Sequence, residues 1–127
     1  MKKTYENSFR DVINKTGLTQ NEIDILLFLR NNPSMDTAKE ISECRAISKS
    51  LVSKSVANLL SRGLINVVSD QSDRRIYRLK MTAEAAILVE ELHQIQERFK
   101  QKITDDLTKE EIAVLSDLLG KIYRKLT

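Results

Sequence analysis

The chain has 127 residues, of which 41% are hydrophobic and 31% charged, so it has enough apolar sequence for the core of one domain and not comfortably for two. Its three glycines and one proline are too few for the turns of an all-β fold, and the glycines lie too far apart to form a phosphate-binding loop. One cysteine, Cys44, and one histidine, His93, exclude a disulfide framework and supply too few ligands for structural zinc. Because the sequence also offers no acid–base pair or cofactor loop, we expect neither an enzyme nor a bound metal or cofactor.

The start of the chain and its apolar runs indicate a compartment. Even the longest uninterrupted apolar runs, such as Ile25–Leu29, are far too short to span a membrane. Residues 1–3 are followed by the polar segment Thr4–Asn7 rather than by the apolar stretch of a signal peptide. We therefore expect a cytoplasmic protein without membrane contact, in which Cys44 stays reduced.

Positive charge is concentrated in the middle of the chain. The net charge is +3 overall, but it is zero over residues 1–36, +5 over residues 37–82 and −2 over residues 83–127. A basic middle between neutral and acidic flanks favours a polyanion as its partner. A solvated basic surface without a partner is the alternative, and charge alone does not separate the two.

Capping signals and apolar periodicity predict the first helices. The capping-box pattern, Ser or Thr followed three residues later by Glu, occurs at Thr19/Glu22, Thr37/Glu40 and Thr108/Glu111. Simpler N-caps are predicted at Ser48 and Thr82, and left-handed helix stops at Gly17 and Gly63. These signals predict helices from the Thr4 cap to about Lys15, from about Gln20 to Arg30, from Ala38 to about Arg45 and from Lys49 to Arg62.

After Gly63 the sequence period changes from helical to alternating. Leu64–Ser69 and Ile76–Met81 are predicted strands, and the polar turn Asp70–Arg75 joins them into a β-hairpin. Three helices followed by a hairpin form a winged helix-turn-helix. The predicted fold is therefore mostly α with a small β-hairpin wing.

The last two predicted helices carry apolar stripes at coiled-coil spacing. On the helix from Ala83 to about Thr104 the stripe consists of Ala85, Leu88, Leu92, Ile95 and Phe99. On the helix from Lys109 to Leu126 it consists of Ile112, Leu115, Leu119, Ile122 and Leu126. Stripes of this kind require partner helices, and two of them in so small a chain favour an intermolecular partner over an ordinary core. We predict a single domain over residues 1–127, with a winged-helix part at 18–82 and dimerisation helices at 1–17 and 83–127.

The helix Lys49–Arg62 has the two faces that a DNA-reading helix needs. Its apolar residues cluster on one face, formed by Val52, Val56, Leu59 and Leu60. The opposite face is small, polar and basic, and no acidic residue occurs between Glu43 and Asp70. A helix in the major groove needs small residues for close approach and Lys, Ser or Asn to reach base edges and phosphates. The predicted DNA-binding residues here are Ser48, Lys49, Ser50, Ser53, Lys54 and Asn58.

The tip of the hairpin carries Asp73, Arg74 and Arg75. Arginine at a narrow loop tip can enter a minor groove, where the potential is most negative. The neighbouring aspartate can hold one guanidinium in place, so that less rotamer entropy is lost on binding. We therefore add these three residues to the predicted DNA-binding site, with an ordinary charged turn as the alternative.

From Leu18 to Leu126 the sequence resembles the MarR family of bacterial transcription regulators. The resemblance is carried by Ile47–Lys54, Leu59–Ile65, Asp70–Arg75, Leu79–Thr82 and Leu107–Glu111. It implies a homodimer formed by the first and last helices on a pseudo-palindromic operator, with the recognition helix in the major groove and a wing arginine in the minor groove. Many members also bind an aromatic ligand between the DNA-binding and dimerisation regions, but nothing in this sequence specifies an effector. The first helix is short for the family, and Ala83–Ala86 stands where glycine is frequent.

The sequence thus predicts a homodimeric regulator that binds double-stranded DNA and represses by promoter occlusion. The alternative is a winged-helix protein–protein interaction module, such as an anti-repressor or a scaffold, without DNA binding. That alternative favours acids and large exposed apolar groups on the recognition face, where only Leu51 fits. Cys44, at the end of the third helix, is interpreted as a structural or incidental thiol rather than a redox sensor, and His93 receives no role.

Overall fold

The computed structural model describes residues 2–126, with side chains described for residues 5–122 and 124. In chain order the elements are α1 (Lys2–Asn7), α2 (Arg10–Thr16), α3 (Gln20–Asn31), α4 (Ala38–Arg45), α5 (Lys49–Ser61), β1 (Ile65–Ser69), β2 (Tyr77–Met81), α6 (Ala83–Thr104) and α7 (Lys109–Leu126). One compact unit ends at Ile95, within α6, and a second begins at Gln96. The predicted mixture of helices with one β-hairpin is confirmed.

The predicted first helix is divided in two. The helix is interrupted at residues 8–9, where Phe9 precedes α2 and its side chain is fully buried. Its ring packs edge-on against Tyr5, with 5.0 Å between the ring centroids. The predicted start is also wrong, because α1 begins at Lys2, ahead of Thr4. The side chain of Thr4, the predicted cap, lies outside the described residues.

The predicted capping boxes form at two of three positions. Reciprocal bonds join Thr19 to Glu22 and Thr108 to Glu111. At α4 only half of the box forms, because the Glu40 carboxylate accepts from the Thr37 hydroxyl instead of the Thr37 backbone. The predicted N-caps at Ser48 and Thr82 and the left-handed glycines after α2 and α5 are confirmed.

The core of the first unit surrounds α3. Every residue from Ile25 to Leu29 is buried, together with Ile23, so α3 is covered on nearly all sides. Ile41 of α4, Val52 and Leu59 of α5 and Leu79 of β2 complete this core. Two predictions need correction. Leu60, expected inside, is 40% exposed, while Ser55 takes an inward position at 6% exposure.

The first part of α6 belongs to the same core. Ala85, Val89 and Leu92 are each buried within the chain. The predicted α6 stripe is therefore partly covered without a second chain, because its N-terminal turns pack on the winged helix. Ile87, on another side of α6, is 83% exposed.

The wing is a two-stranded antiparallel hairpin. Ile65 lies opposite Met81 and Ser69 opposite Tyr77, so the register places Leu79 opposite Val67. Leu79 is buried, and its backbone N–H donates to the carbonyl of Asp36 at 2.7 Å. This bond ties β2 to the loop between α3 and α4.

In the second unit, α7 leaves one apolar face open. Its residues between 42% and 57% exposed are Val114, Leu115, Leu118, Leu119 and Ile122. Leu126, the last member of the predicted stripe, has a side chain outside the described residues. None of the helices, over the residues described, is both long and apolar enough to cross a membrane.

Candidate DNA-binding surface

α4 and α5 form the helix-turn-helix, joined by a three-residue turn. Ala46 adopts a left-handed conformation with φ of 54°, and the Ser42 hydroxyl donates to the carbonyl of Ile47 at 2.6 Å. Ser48 then caps α5 by accepting the backbone N–H of Leu51. These contacts set the start of α5, where the backbone N–H groups of the first turn and the positive end of the helix dipole favour an anion.

The N-terminal half of α5 presents most of its predicted DNA-binding residues to solvent. The exposed members are Ser48, Lys49, Ser50, Ser53 and Lys54. The side chains of Lys49 and Lys54 make neither an ion pair nor a hydrogen bond to any residue that the structure describes. Their charges are therefore available for phosphates or base edges.

Asn58 differs from the other predicted residues of α5. It is half-buried, and its Nδ2 donates to Oε2 of Glu22 at 2.6 Å. Glu22 is 4% exposed and also accepts the backbone N–H of Thr19, so Asn58 satisfies a buried carboxylate. The amide of Asn58 is thus committed to the protein interior, which argues against its predicted role in reading DNA.

At the wing tip, Asp73 holds Arg75. Nε and Nη2 of the Arg75 guanidinium donate to the two carboxylate oxygens at 3.1 and 3.2 Å. The hydrogen bond from the Arg75 side chain, with one from its backbone, lowers the pKa of Asp73. The Arg75 side chain is nevertheless 91% exposed. It is therefore held by Asp73 and still accessible to a ligand. Arg74 is exposed, and its side chain has no partner among the described residues.

Sequence reasoning missed a charged cluster at the base of the wing. Arg78 donates to Asp36 at 2.6 Å and to Asp70 at 2.8 Å, and Lys80 also pairs with Asp36. Burial alone would raise the pKa of Asp36, but hydrogen bonds from Lys80 and Arg78 outweigh it and the pKa is lowered. The hydrogen bond from Arg78 lowers the pKa of Asp70.

Part of this cluster has a signal in the sequence. Arg78 and Lys80 alternate along β2 and therefore point to the same side of the hairpin. Lys39, also missed, is exposed on α4 and lines a groove of about 610 Å³ with Arg75 and Tyr77. Lys39 has no ion pair among the described residues, so it adds a free positive charge to the groove beside the wing.

Two findings come from comparison with protein sequences. A model of the MarR family matches residues 16–76, which run from the end of α2 through the helix-turn-helix into the wing. The chain is also 26% identical over 117 residues to the HTH-type transcriptional regulator FarR of Neisseria gonorrhoeae. That alignment covers 91% of this chain and 79% of FarR. Both matches include α5 and the residues of the wing tip.

Solved structures share the fold. The MarR protein of Peptoclostridium difficile superposes with a TM-score of 0.75 at 24% identity, over 94% of this chain and 78% of that protein. BpsR of Bordetella bronchiseptica, whose DNA binding is regulated by 6-hydroxynicotinic acid, superposes with a TM-score of 0.71 at 25% identity, over 95% of this chain and 86% of BpsR. The predicted winged helix-turn-helix architecture is confirmed.

Proposed function

We propose that the chain, which matches a MarR family model over residues 16–76, is a transcription regulator of that family and acts as a homodimer on double-stranded DNA. Each subunit places α5 in the major groove of one half of a pseudo-palindromic operator. The arginines of its wing tip enter the adjacent minor groove. Occupation of the operator blocks access to a promoter, so the protein represses transcription. Because the target is chromosomal DNA, the protein works in the cytoplasm.

The observation that carries this proposal is the exposed face of α5. Two uncommitted lysines and three exposed serines lie together at the N-terminal half of the helix. Serine allows close approach to the groove, and lysine supplies the donors that guanine and phosphate accept. The buried side of the same helix, with Val52, Ser55 and Leu59, anchors it to the core. A helix so anchored presents its outer face in a fixed orientation.

The wing supports the same partner. The Arg75 guanidinium is held by Asp73 before any ligand arrives, so little rotamer entropy remains to be lost on binding. A planar guanidinium suits the narrow, negative minor groove better than an ammonium does. Arg74, which is exposed beside it, reaches the phosphates.

The open apolar face of α7 supports the dimer. Val114 and Leu118 lie side by side with Leu115 and Leu119, each at least 42% exposed. Apolar surface of this extent favours a protein partner, and a second copy of α7 offers the matching face. Sedimentation at micromolar concentration is expected to give a dimer. A monomer at that concentration would contradict the paired half-sites.

We also propose control by a small-molecule effector, by analogy with BpsR. A ligand shifts DNA affinity only if it binds one spacing of the two α5 helices more tightly than another. A screen for compounds that release the protein from its operator tests this part of the proposal.

The main test is a DNA-binding titration. DNA from the region upstream of the protein's own gene is footprinted with purified protein, and the protected site is then titrated at several salt concentrations. We expect one protected pseudo-palindrome and an affinity that falls steeply with salt, because lysine and arginine contacts release counterions. Binding that is independent of sequence would contradict the proposal.

A protein-binding role is the second candidate, because the wing also exposes apolar side chains. Val67, Val68 and Tyr77 are 40%, 50% and 61% exposed, and Leu51 and Leu60 on α5 are 45% and 40% exposed. If these residues form the functional surface, Val68→Ser abolishes activity in the cell while DNA affinity in vitro is unchanged. We expect instead that Lys54→Ala weakens both DNA binding in vitro and activity in the cell.

A further inference from the structure

Asp36 lies in the loop between α3 and α4, outside both elements that the proposed function places on DNA. It is 3% exposed, and its carboxylate accepts hydrogen bonds from Nη1 of Arg78 at 2.6 Å and from Nζ of Lys80 at 2.5 Å. Its backbone carbonyl accepts the N–H of Leu79. A buried carboxylate is costly unless it is paired, so this residue forms a strong tether for β2.

The contacts continue from Asp36 to the wing tip. Nε of Arg78 donates to Oδ1 of Asp70 at 2.8 Å, and Oδ2 of Asp70 accepts the backbone N–H of Asp73 at 2.9 Å. Asp73 in turn holds the Arg75 guanidinium. A chain of charge-assisted hydrogen bonds therefore connects a buried loop residue to the arginine at the tip.

We propose that Asp36 is a positioning residue for DNA binding, which acts through Arg78 and Asp70 to fix the wing tip so that Arg75 meets the minor groove in a preset orientation. The inference rests on the proposed function, because it requires that the wing contacts DNA. A two-stranded hairpin is only marginally stable by itself, so the orientation of its tip depends on a tether. A tip ordered in advance loses less conformational entropy on binding.

The sign of the effect separates positioning from simple electrostatics. Asp36→Asn removes one negative charge and raises the net charge from +3 to +4 per chain. If net charge alone mattered, the variant would bind DNA more tightly. Positioning predicts weaker binding. The matched control is Asp105→Asn, an exposed acid in the turn between α6 and α7, which makes the same change in charge and is expected not to weaken binding.

The experiment is a double-mutant cycle in full-length protein, with the fold of each variant checked by circular dichroism. Asp36→Asn is combined with Arg75→Ala and, separately, with Lys54→Ala, and operator affinity is titrated at fixed salt. We expect Asp36→Asn to weaken binding by about fivefold or more in the wild-type background, the lower end of the loss for a side chain that reads a base. In the Lys54→Ala background it should weaken operator binding by the same factor, whereas in the Arg75→Ala background it should cause no further loss of affinity.

Arg78→Lys provides the conservative variant. Lysine keeps the charge but cannot bridge two carboxylates with a rigid fork, so the variant should reproduce the loss seen with Asp36→Asn. If Asp36→Asn does not fold, Asp70→Asn breaks the next link at a more exposed position and enters the same cycle.

Two results overturn the inference. One is an equal loss of affinity in the wild-type and Arg75→Ala backgrounds, which indicates general destabilisation. The other is wild-type affinity in Asp36→Asn. In either case the proposed function would still hold if the wild-type protein binds the operator and Lys54→Ala binds it more weakly. A wild-type protein without operator binding ends both proposals.

Discussion

The exposed face of α5 and the wing hold their positive charges in opposite ways. Lys49 and Lys54 have no ion pair with any described residue, whereas Arg75 is held by Asp73 and Arg78 by two carboxylates. Free lysines keep their rotamer entropy until a ligand fixes them, while the paired arginines have already lost much of theirs. The recognition helix α5 is therefore adaptable, because its lysines can still adjust to the DNA. The wing is preset, because its arginines are held in place before DNA binds.

The largest expected effect tests whether the two subunits of the dimer bind DNA as a symmetric pair. Two α5 helices on one face of the duplex must lie one turn apart, at roughly 34–36 Å. Insertion of five base pairs between the half-sites rotates one of them by about half a turn, and affinity should fall about a thousandfold or more, to the non-specific level. The measurement is a titration of the two operators at one salt concentration. Equal affinities would show that the subunits bind independently.

The next effect separates the two regions by their chemistry. Lys54→Ala and Arg75→Ala are each expected to cost about 1–3 kcal/mol of binding free energy. Substitutions that conserve charge should then differ. Arg75→Lys loses the bidentate contact with Asp73, so its DNA affinity should be about as low as that of Arg75→Ala. Lys54→Arg should retain most of the wild-type DNA affinity. Titration at fixed salt measures all four variants, and equal behaviour of the two conservative variants would contradict a preset wing.

Asn58 tests the boundary of the adaptable region. Asn58→Ala leaves Oε2 of Glu22 without its side-chain donor, so the free energy of unfolding should fall by about 1–3 kcal/mol. The dependence of DNA affinity on salt should not change. Chemical denaturation measures the loss, and Asn14→Ala, at an exposed helical position, is the control that should not destabilise. A stable Asn58→Ala protein with lost operator specificity would restore its predicted role in reading DNA.

The smallest expected effect is the change in the free energy of unfolding at low pH. The pKa of Asp36 is lowered in the folded protein, because bonds from Lys80 and Arg78 outweigh its burial. Because the pKa of Asp36 is lower in the folded protein than in the unfolded chain, where it is about 3.9, its ionised form stabilises the fold at pH values above about 3.9. That stabilisation is lost as the pH falls through the lower pKa of the folded protein. The difference in unfolding free energy between wild type and Asp36→Asn should therefore narrow as the pH drops below about 4. A difference that stays constant down to about pH 2 would contradict the pairing.

Local signals in the sequence predicted most elements of the fold. The bounds of α3, α4, α5 and the two strands agree with prediction to within one residue, because caps, glycines and a change of period mark them. The interruption before α2 was not predicted, since Phe9 gains its position from packing against the core rather than from a local breaker. The same limit applies to Leu60, which a helical wheel assigns to the apolar face.

The candidate site was predicted only where it is local. The exposed residues of α5 follow from one helical face, and the pairing of Asp73 with an adjacent arginine follows from neighbouring residues. Asp36 and Arg78 are separated by 42 positions, and no pattern in the sequence brings them together. Likewise, periodicity shows that α6 is amphipathic but not that Leu92 is covered within its own chain.

The most direct test of the DNA-binding proposal is a hydroxyl-radical footprint of wild type, Lys54→Ala and Arg75→Ala on the same upstream DNA. We expect two protected half-sites one helical turn apart for the wild type. At a protein concentration that restores occupancy, Arg75→Ala should lose protection of the minor groove beside each half-site, while Lys54→Ala keeps it. Protection that is absent in the wild type, or unchanged in Arg75→Ala, would contradict the division of roles between α5 and the wing.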